Sequence, residues 1–259
     1  MVAAGSPELA GRVGERAWFY EAQLGRPFGA AAEYVALPAG QAVRLPEGVS
    51  FDQGACLGVP AMTAHRAVFA DGPVEGKTVF VSGGAGAVGR YAVQFARLGG
   101  ARVIATVSSE RDAQAVRAVG ADLVIDRQRE DVAARFAAFT GAKDGRGVDR
   151  FVEVAFGANL PLILRLLKPN GVVATYASDA EPEPRLPFWP LVALDATVRF
   201  VLVYVMDTAA HAAAAQAITQ ALAAGTLAHD IAEVFDLADI ARAHQKVEAG
   251  AGGKVIVRP

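Results

Sequence analysis

Gly84, Gly86 and Gly89 stand at G-x-G-x-x-G spacing in the stretch Val79-Phe80-Val81-Ser82-Gly83-Gly84-Ala85-Gly86-Ala87-Val88-Gly89-Arg90. Glycine has no Cβ, so such a run lets backbone approach a phosphate closely. In this reading Gly84 turns the chain tightly, Gly86 keeps the path of a pyrophosphate open, and Gly89 lets the next helix lie close on the sheet. Backbone amides at the helix start, including those of Ala87 and Val88, would then meet the phosphates at the positive end of the helix dipole. With 27 glycines in 259 residues, the spacing arises easily by chance, so its setting decides its meaning. An apolar strand precedes it, an amphipathic helix follows, and a second strand begins at Arg102, which is the βαβ setting of a dinucleotide site.

The end of that second strand reads the cofactor's ribose. A carboxylate there holds the 2′-hydroxyl of NAD, whereas this strand ends in Thr106-Val107-Ser108-Ser109. Glu110 lies near the required spacing, but Ser109-Glu110-Arg111-Asp112 reads as a helix start with its cap and first-turn acids. A hydroxyl at Ser108 and a cation at Arg111 suit a 2′-phosphate, so NADPH is expected over NADH.

Behind the site, short β-branched runs alternate with helical stretches, the pattern of a doubly wound α/β sheet. Strands are expected at Thr78–Ser82, Arg102–Val107, Leu123–Asp126, Asp149–Val154, Gly171–Tyr176 and Thr197–Val205, each apolar enough for burial on both faces. Helices are expected at Ala87–Leu98, Ser109–Val119, Asp131–Phe139 and Asn159–Leu167. Residues 1–55 carry short strand-like pieces, Arg16–Tyr20, Ala32–Leu37 and Ala42–Leu45, broken by Pro and Gly. The tail supplies a helix at Thr208–Ala224, a strand at Ile231–Phe235, a helix at Leu237–Ala249 and a strand at Lys254–Val257.

Composition narrows the classes. The chain is 53% hydrophobic and its formal charge is -2, which suits a folded protein and gives no basic surface for nucleic acid or an anionic membrane. Asp195, Arg199 and Asp207 interrupt the longest apolar stretch well short of a membrane span. The start lacks the basic and apolar segments of an export signal, and a single cysteine gives no disulfide, so a cytoplasmic location is expected.

Other candidate residues have plainer readings. Cys56 with His65 cannot complete a tetrahedral metal site, so no metal is expected and Cys56 reads as a buried small residue. His65 is placed on a helix after Thr63; His211, His229 and His244 are expected at the surface. Tyr20, Tyr34, Tyr91, Tyr176 and Tyr204 all lack the Lys four residues later that a short-chain dehydrogenase needs. Tyr20 and Tyr176 either line the cleft or pack as aromatic residues and receive no catalytic role, and Glu153 at a strand end either faces a cleft or closes a hydrogen bond. A methyltransferase is disfavoured because the second strand does not end in an acid.

Several further segments carry a resemblance: Phe28-Gly29-Ala30-Ala31-Ala32-Glu33-Tyr34, Leu45-Pro46-Glu47-Gly48-Val49-Ser50-Phe51, Gly58-Val59-Pro60-Ala61-Met62-Thr63-Ala64-His65-Arg66, Gly120-Ala121-Asp122-Leu123-Val124-Ile125-Asp126 and Gly252-Gly253-Lys254-Val255-Ile256-Val257. With the glycine turn, they make the chain resemble the zeta-crystallin-like quinone oxidoreductases of the medium-chain dehydrogenase/reductase superfamily. The resemblance implies a Rossmann-type cofactor domain at 58–208 and a partial GroES-like catalytic domain built from 1–57 and 209–259. It implies zinc-independent transfer of hydride from NADPH to a quinone or related electron-poor enone. Thr63 matches a cofactor-contacting Thr, Ser108 a position near the adenosine ribose, and Lys254 the Gly-Lys of the last strand. Arg127 and Ala177 depart from the family's usual Tyr and Gly. Met1 aligns inside the family's first domain, so part of the catalytic half is expected to be missing and quinone turnover to be poor; the alternative is a nucleotide-binding structural or sensing protein. A homodimer is expected through Thr197–Val205, because an open apolar edge strand would otherwise aggregate.

Overall fold

In the computed structural model, which describes Met1–Pro259, the N-terminal stretch pairs β1 (Ala17–Phe19) with β2 (Ala42–Arg44) antiparallel. Two helices follow, α1 (Phe51–Ala55) and α2 (Gly58–Phe69). Ser50 starts α1 with a reciprocal capping box to Gln53. The expected strand at Ala32–Leu37 does not form. Its apolar Tyr34 is 74% exposed, and no neighbouring strand supplies a ladder, without which a short extended run gains nothing over solvated loop.

The middle of the chain runs β3 (Thr78–Val81), α3 (Ala87–Leu98), β4 (Arg102–Val107), α4 (Glu110–Ala118), β5 (Leu123–Asp126), α5 (Val132–Thr140), β6 (Val148–Glu153), α6 (Phe156–Leu166), β7 (Leu167–Thr175), α7 (Phe188–Ala193) and β8 (Thr197–Phe200). The strands form one parallel sheet in the order β5-β4-β3-β6-β7-β8. After β5 the chain crosses back to place β6 on the other side of β3. The order therefore reverses between β3 and β6, which is where doubly wound sheets bind ligands.

Alternation along β3 explains why its run is apolar throughout. Phe80 joins Ile104, Ile125, Phe151 and Val173 in a core closed by Phe136 of α5 and Ile163 of α6, while Val79 and Val81 point to the other face and are equally buried. Arg150 of β6 is buried, and its guanidinium donates to the backbone carbonyls of Val68, Asp71 and Gly72. It thereby satisfies acceptors that α2 leaves open at its C-terminus.

The sheet departs from expectation at β7, which starts at Leu167 rather than Gly171 by pairing there with Val148, and twice at β8. The last strand stops at Phe200 and the chain turns into a 3₁₀ segment at Val203–Val205. Its partner β7 ends at Thr175, which pairs with Phe200, so the ladder has nothing further to run along. Nor is β8 buried on both faces: Thr197 and Phe200 are exposed, as an edge position allows. The helix expected from Asn159 begins at Phe156, because its first amides find acceptors outside the helix, described below.

The tail comprises α8 (Thr208–Ala223), β9 (Ile231–Asp236), α9 (Ile240–Glu248) and β10 (Lys254–Arg258), with β9 and β10 parallel. A 3₁₀ turn at Leu237–Asp239 precedes α9 where one continuous helix is expected from the pattern. Two compact units result: Met1–Met62 with Tyr204–Pro259, and Thr63–Val203. No helix is long and apolar enough to cross a membrane.

Candidate functional site

At the C-terminal ends of β3 and β4 the glycine run folds into a tight turn that opens α3. Gly83, at φ 66°, takes the left-handed conformation, so the sharp turn expected of Gly84 belongs to its neighbour. Gly84 is instead a packing residue, since a Cβ there would lie 2.8 Å from Ala105 Cβ and 3.3 Å from Val116. A Cβ on Gly89 would fall 2.2 Å from the Gly83 carbonyl oxygen, which is how its absence lets the helix close on the turn. Gly86 is the helix's N-cap and has no side chain to cap it. A Cβ there would meet only the Gly83 oxygen, at 3.3 Å. Gly86 and Ala87 are exposed and Val88 is half-buried. The start of α3 thus leaves its first backbone amides open, with no bulky side chain in the way of an anionic group.

Side chains that the sequence does not link to the glycine turn hold it from both sides. Thr106 of β4 is buried; its Oγ1 accepts from the Gly83 amide at 3.1 Å and its carbonyl from the Gly84 amide at 2.9 Å. On the β6 side, Ser82 Oγ donates to Glu153 Oε2 at 2.6 Å. The other oxygen of Glu153 accepts from the Ala155 amide at 2.6 Å and from Asn159 Nδ2 at 2.9 Å. The carboxylate is fully buried, so the hydrogen-bonding alternative holds for Glu153. A strand-end Thr and a strand-end Glu were the available sequence signals, but nothing in the sequence pairs them with the turn.

Ser108 follows β4 and is exposed. Ser109 caps α4 by accepting from the Asp112 amide at 3.2 Å, and Glu110 turns to Arg117 at 3.0 Å. Arg111 lies in the first turn of α4 and is exposed. Asp126, opposite Val107 on β5, accepts from the Gln128 amide and lies 3.7 Å from Arg129. The glycine turn, Ser108 and Arg111 therefore belong to one unit and one edge of its sheet. Thr63 is buried on α2 of the same unit. Lys254 begins β10 in the other unit.

The remaining candidates are structural. Burial pushes the Cys56 thiol up to about 11. His65 packs on the rings of Phe69 and Phe95, and burial lowers it to about 4. Two histidines expected at the surface are not there. His211 is stacked on Tyr20 and bonds Glu21 at 2.8 Å with 14% of its side chain exposed, because α8 packs that face onto the loop after β1. His229 is half-buried, and loss of solvent lowers it to about 4. The Tyr20 hydroxyl donates to the Gly40 carbonyl. Burial, then the Glu153 charge, pushes the Tyr176 phenol well above its ordinary range, so it stays protonated.

A family of zinc-binding dehydrogenases matches residues 87–220. A quinone oxidoreductase of Pongo abelii is 30% identical over 234 residues, covering 88% of this chain and 69% of that protein. The crystal structure of a Pseudomonas syringae quinone oxidoreductase is 29% identical with a TM-score of 0.79, over 95% of this chain and 75% of that one. A mycobacterial protein solved in complex with NADPH is 28% identical with a TM-score of 0.76, over 89% and 73%. By these matches and its reversed-order parallel sheet, the chain belongs to the quinone oxidoreductases of the medium-chain dehydrogenase/reductase superfamily.

Proposed function

We propose that this oxidoreductase takes NADPH as its nicotinamide cofactor and reduces a quinone or related electron-poor enone without zinc. The observation that carries the reading is the uncapped start of α3 beside Ser108 and Arg111. The glycine cradle accepts a pyrophosphate on backbone amides, and the exposed Arg111 cation supplies what a 2′-phosphate needs and a 2′-hydroxyl does not. The similar mycobacterial protein solved with NADPH supports the same cofactor. NADPH supplies a hydride; with one proton from solvent it converts a quinone to a hydroquinone, leaving NADP⁺. The chain's residues bind and orient, which suffices for an acceptor that stabilises charge well.

No group of three or more His, Cys, Asp or Glu side chains is placed to hold a metal ion, and a buried thiol with a raised pKa is a poor ligand. Thr63 and Lys254 are proposed as further cofactor contacts, and the lone buried thiol suits a reducing, cytoplasmic compartment. We also propose a homodimer. The outer edge of β8 is unpaired in the sheet, and Phe200 and Leu202 of the Thr197–Val205 segment are 71% and 53% exposed. Light scattering at micromolar concentration should give twice the chain mass; a monomer overturns that assignment.

NADPH oxidation with a simple benzoquinone, beside titrations of NADPH and NADH, tests the reaction. Tighter NADPH binding and quinone-dependent oxidation are expected. Equal affinities overturn the cofactor assignment, and tight NADPH binding without oxidation makes the chain a nucleotide-binding protein without turnover.

A further inference from the structure

We propose that Glu153 is a positioning residue for the nicotinamide half of the cofactor, an inference that rests on the NADPH reading. Its carboxylate is fully buried and its two oxygens are engaged by Ser82, the Ala155 amide and Asn159. No oxygen is left to touch a substrate, so its action runs through what it holds. Its backbone carbonyl accepts from the Tyr176 amide at 3.1 Å and from Thr175 Oγ1 at 3.2 Å. One residue thus ties together the end of β3, the start of α6 and the chain leaving β7.

The place of these elements in the sheet sets the consequence. Ser108 and Arg111 lie on the β4 side of the reversal, where the adenosine half is read, and the cradle at α3 takes the phosphates. The other mononucleotide half of a dinucleotide falls across the reversal, over β6 and β7. Glu153 organises that side, while Thr106 holds the glycine turn from the β4 side. A buried carboxylate is costlier than an apolar residue of its size, and here its donors are the groups that set the chain's path after β3 and after β6.

The test uses the full chain with NADPH and with adenosine 2′,5′-bisphosphate, which carries the adenosine half alone. Glu153→Ala should weaken NADPH by roughly tenfold or more and lose the fluorescence enhancement of bound reduced nicotinamide, while the bisphosphate changes by less than about twofold. Glu153→Gln should stay within about threefold of the parent for NADPH, because its amide oxygen still accepts from Ala155 and Asn159 and its NH₂ can donate to Ser82. If the alanine variant does not fold, Glu153→Asp serves in its place. That variant keeps the charge but falls one methylene short of its donors, and a loss confined to NADPH is again expected. Parallel weakening of both ligands, or NADPH binding like the parent's in the alanine or aspartate variant, overturns the proposal. Failure of the unaltered chain to bind either ligand overturns the NADPH reading and this one with it.

Discussion

The helices that follow the two central strands, α3 after β3 and α6 after β6, both begin without a side-chain cap at the N-cap residue, yet they end up in opposite states. At α6 the protein fills the opening itself: the Phe156 amide donates to the Ala177 carbonyl at 3.1 Å and the Gly157 amide to Ser178 Oγ at 3.0 Å. At α3 no such segment arrives, and Gly86 and Ala87 remain exposed. On the proposed reading, a helix start becomes an anion site only where the fold withholds its own acceptors. The dipole is common to both helices; the neighbouring chain is not.

The largest effect should come from closing the α3 turn from within. In Gly89→Ala the new methyl group would lie 2.2 Å from the Gly83 oxygen, so the turn must move. Stability should fall by about 3 kcal/mol or more, with NADPH binding lost, as read by thermal unfolding and titration. Gly86→Val separates the two consequences. Its Cβ meets only the Gly83 oxygen, at a tight 3.3 Å, and Val is a poorer N-cap than Gly, so stability should fall by only about 1 kcal/mol. Both NADPH and NADH should nevertheless weaken by about 100-fold, the loss of two charge-assisted hydrogen bonds. Retained affinity would show that the phosphates do not use this cradle.

Arg111→Glu should discriminate more finely. It removes about 1.5 to 3 kcal/mol of charge-assisted binding, roughly 10- to 150-fold, from NADPH alone. An equal loss for NADH would place Arg111 away from the 2′-position. The smallest effect is expected at the self-satisfied helix, where Ser178→Ala strips the Gly157 amide of its acceptor. Denaturant unfolding should show a loss of about 1 kcal/mol, while adenosine 2′,5′-bisphosphate binds as before. A weakened bisphosphate would mean that α6 and α3 are not independent.

The same contrast explains which features were legible from residue order. The run Val79–Val81, buried on both faces, and the amphipathic stretch Ala87–Leu98 announce β3 and α3 because period and composition are local properties. The glycine spacing likewise locates the turn. Which glycine bends the chain was not legible: Gly83 takes the positive φ and Gly84 packs on Ala105, a residue of the adjacent strand. The irregular N-terminal stretch is less legible, since Ala32–Leu37 has strand-like residues but no partner strand.

By itself, then, the sequence determined the alternating sheet, the glycine turn and the absence of a strand-end carboxylate after β4, each set by neighbours along the chain. Only the tertiary structure decided the length of β8, which ends where β7 stops offering a ladder, and the burial of His211 against Tyr20 and Glu21. It also decided the role of Glu153, whose partner Ser82 lies 71 residues away. Periodicity reports whether a residue will be buried, but a buried polar group's partner is chosen by topology, and topology is settled only when β6 returns to the far side of β3.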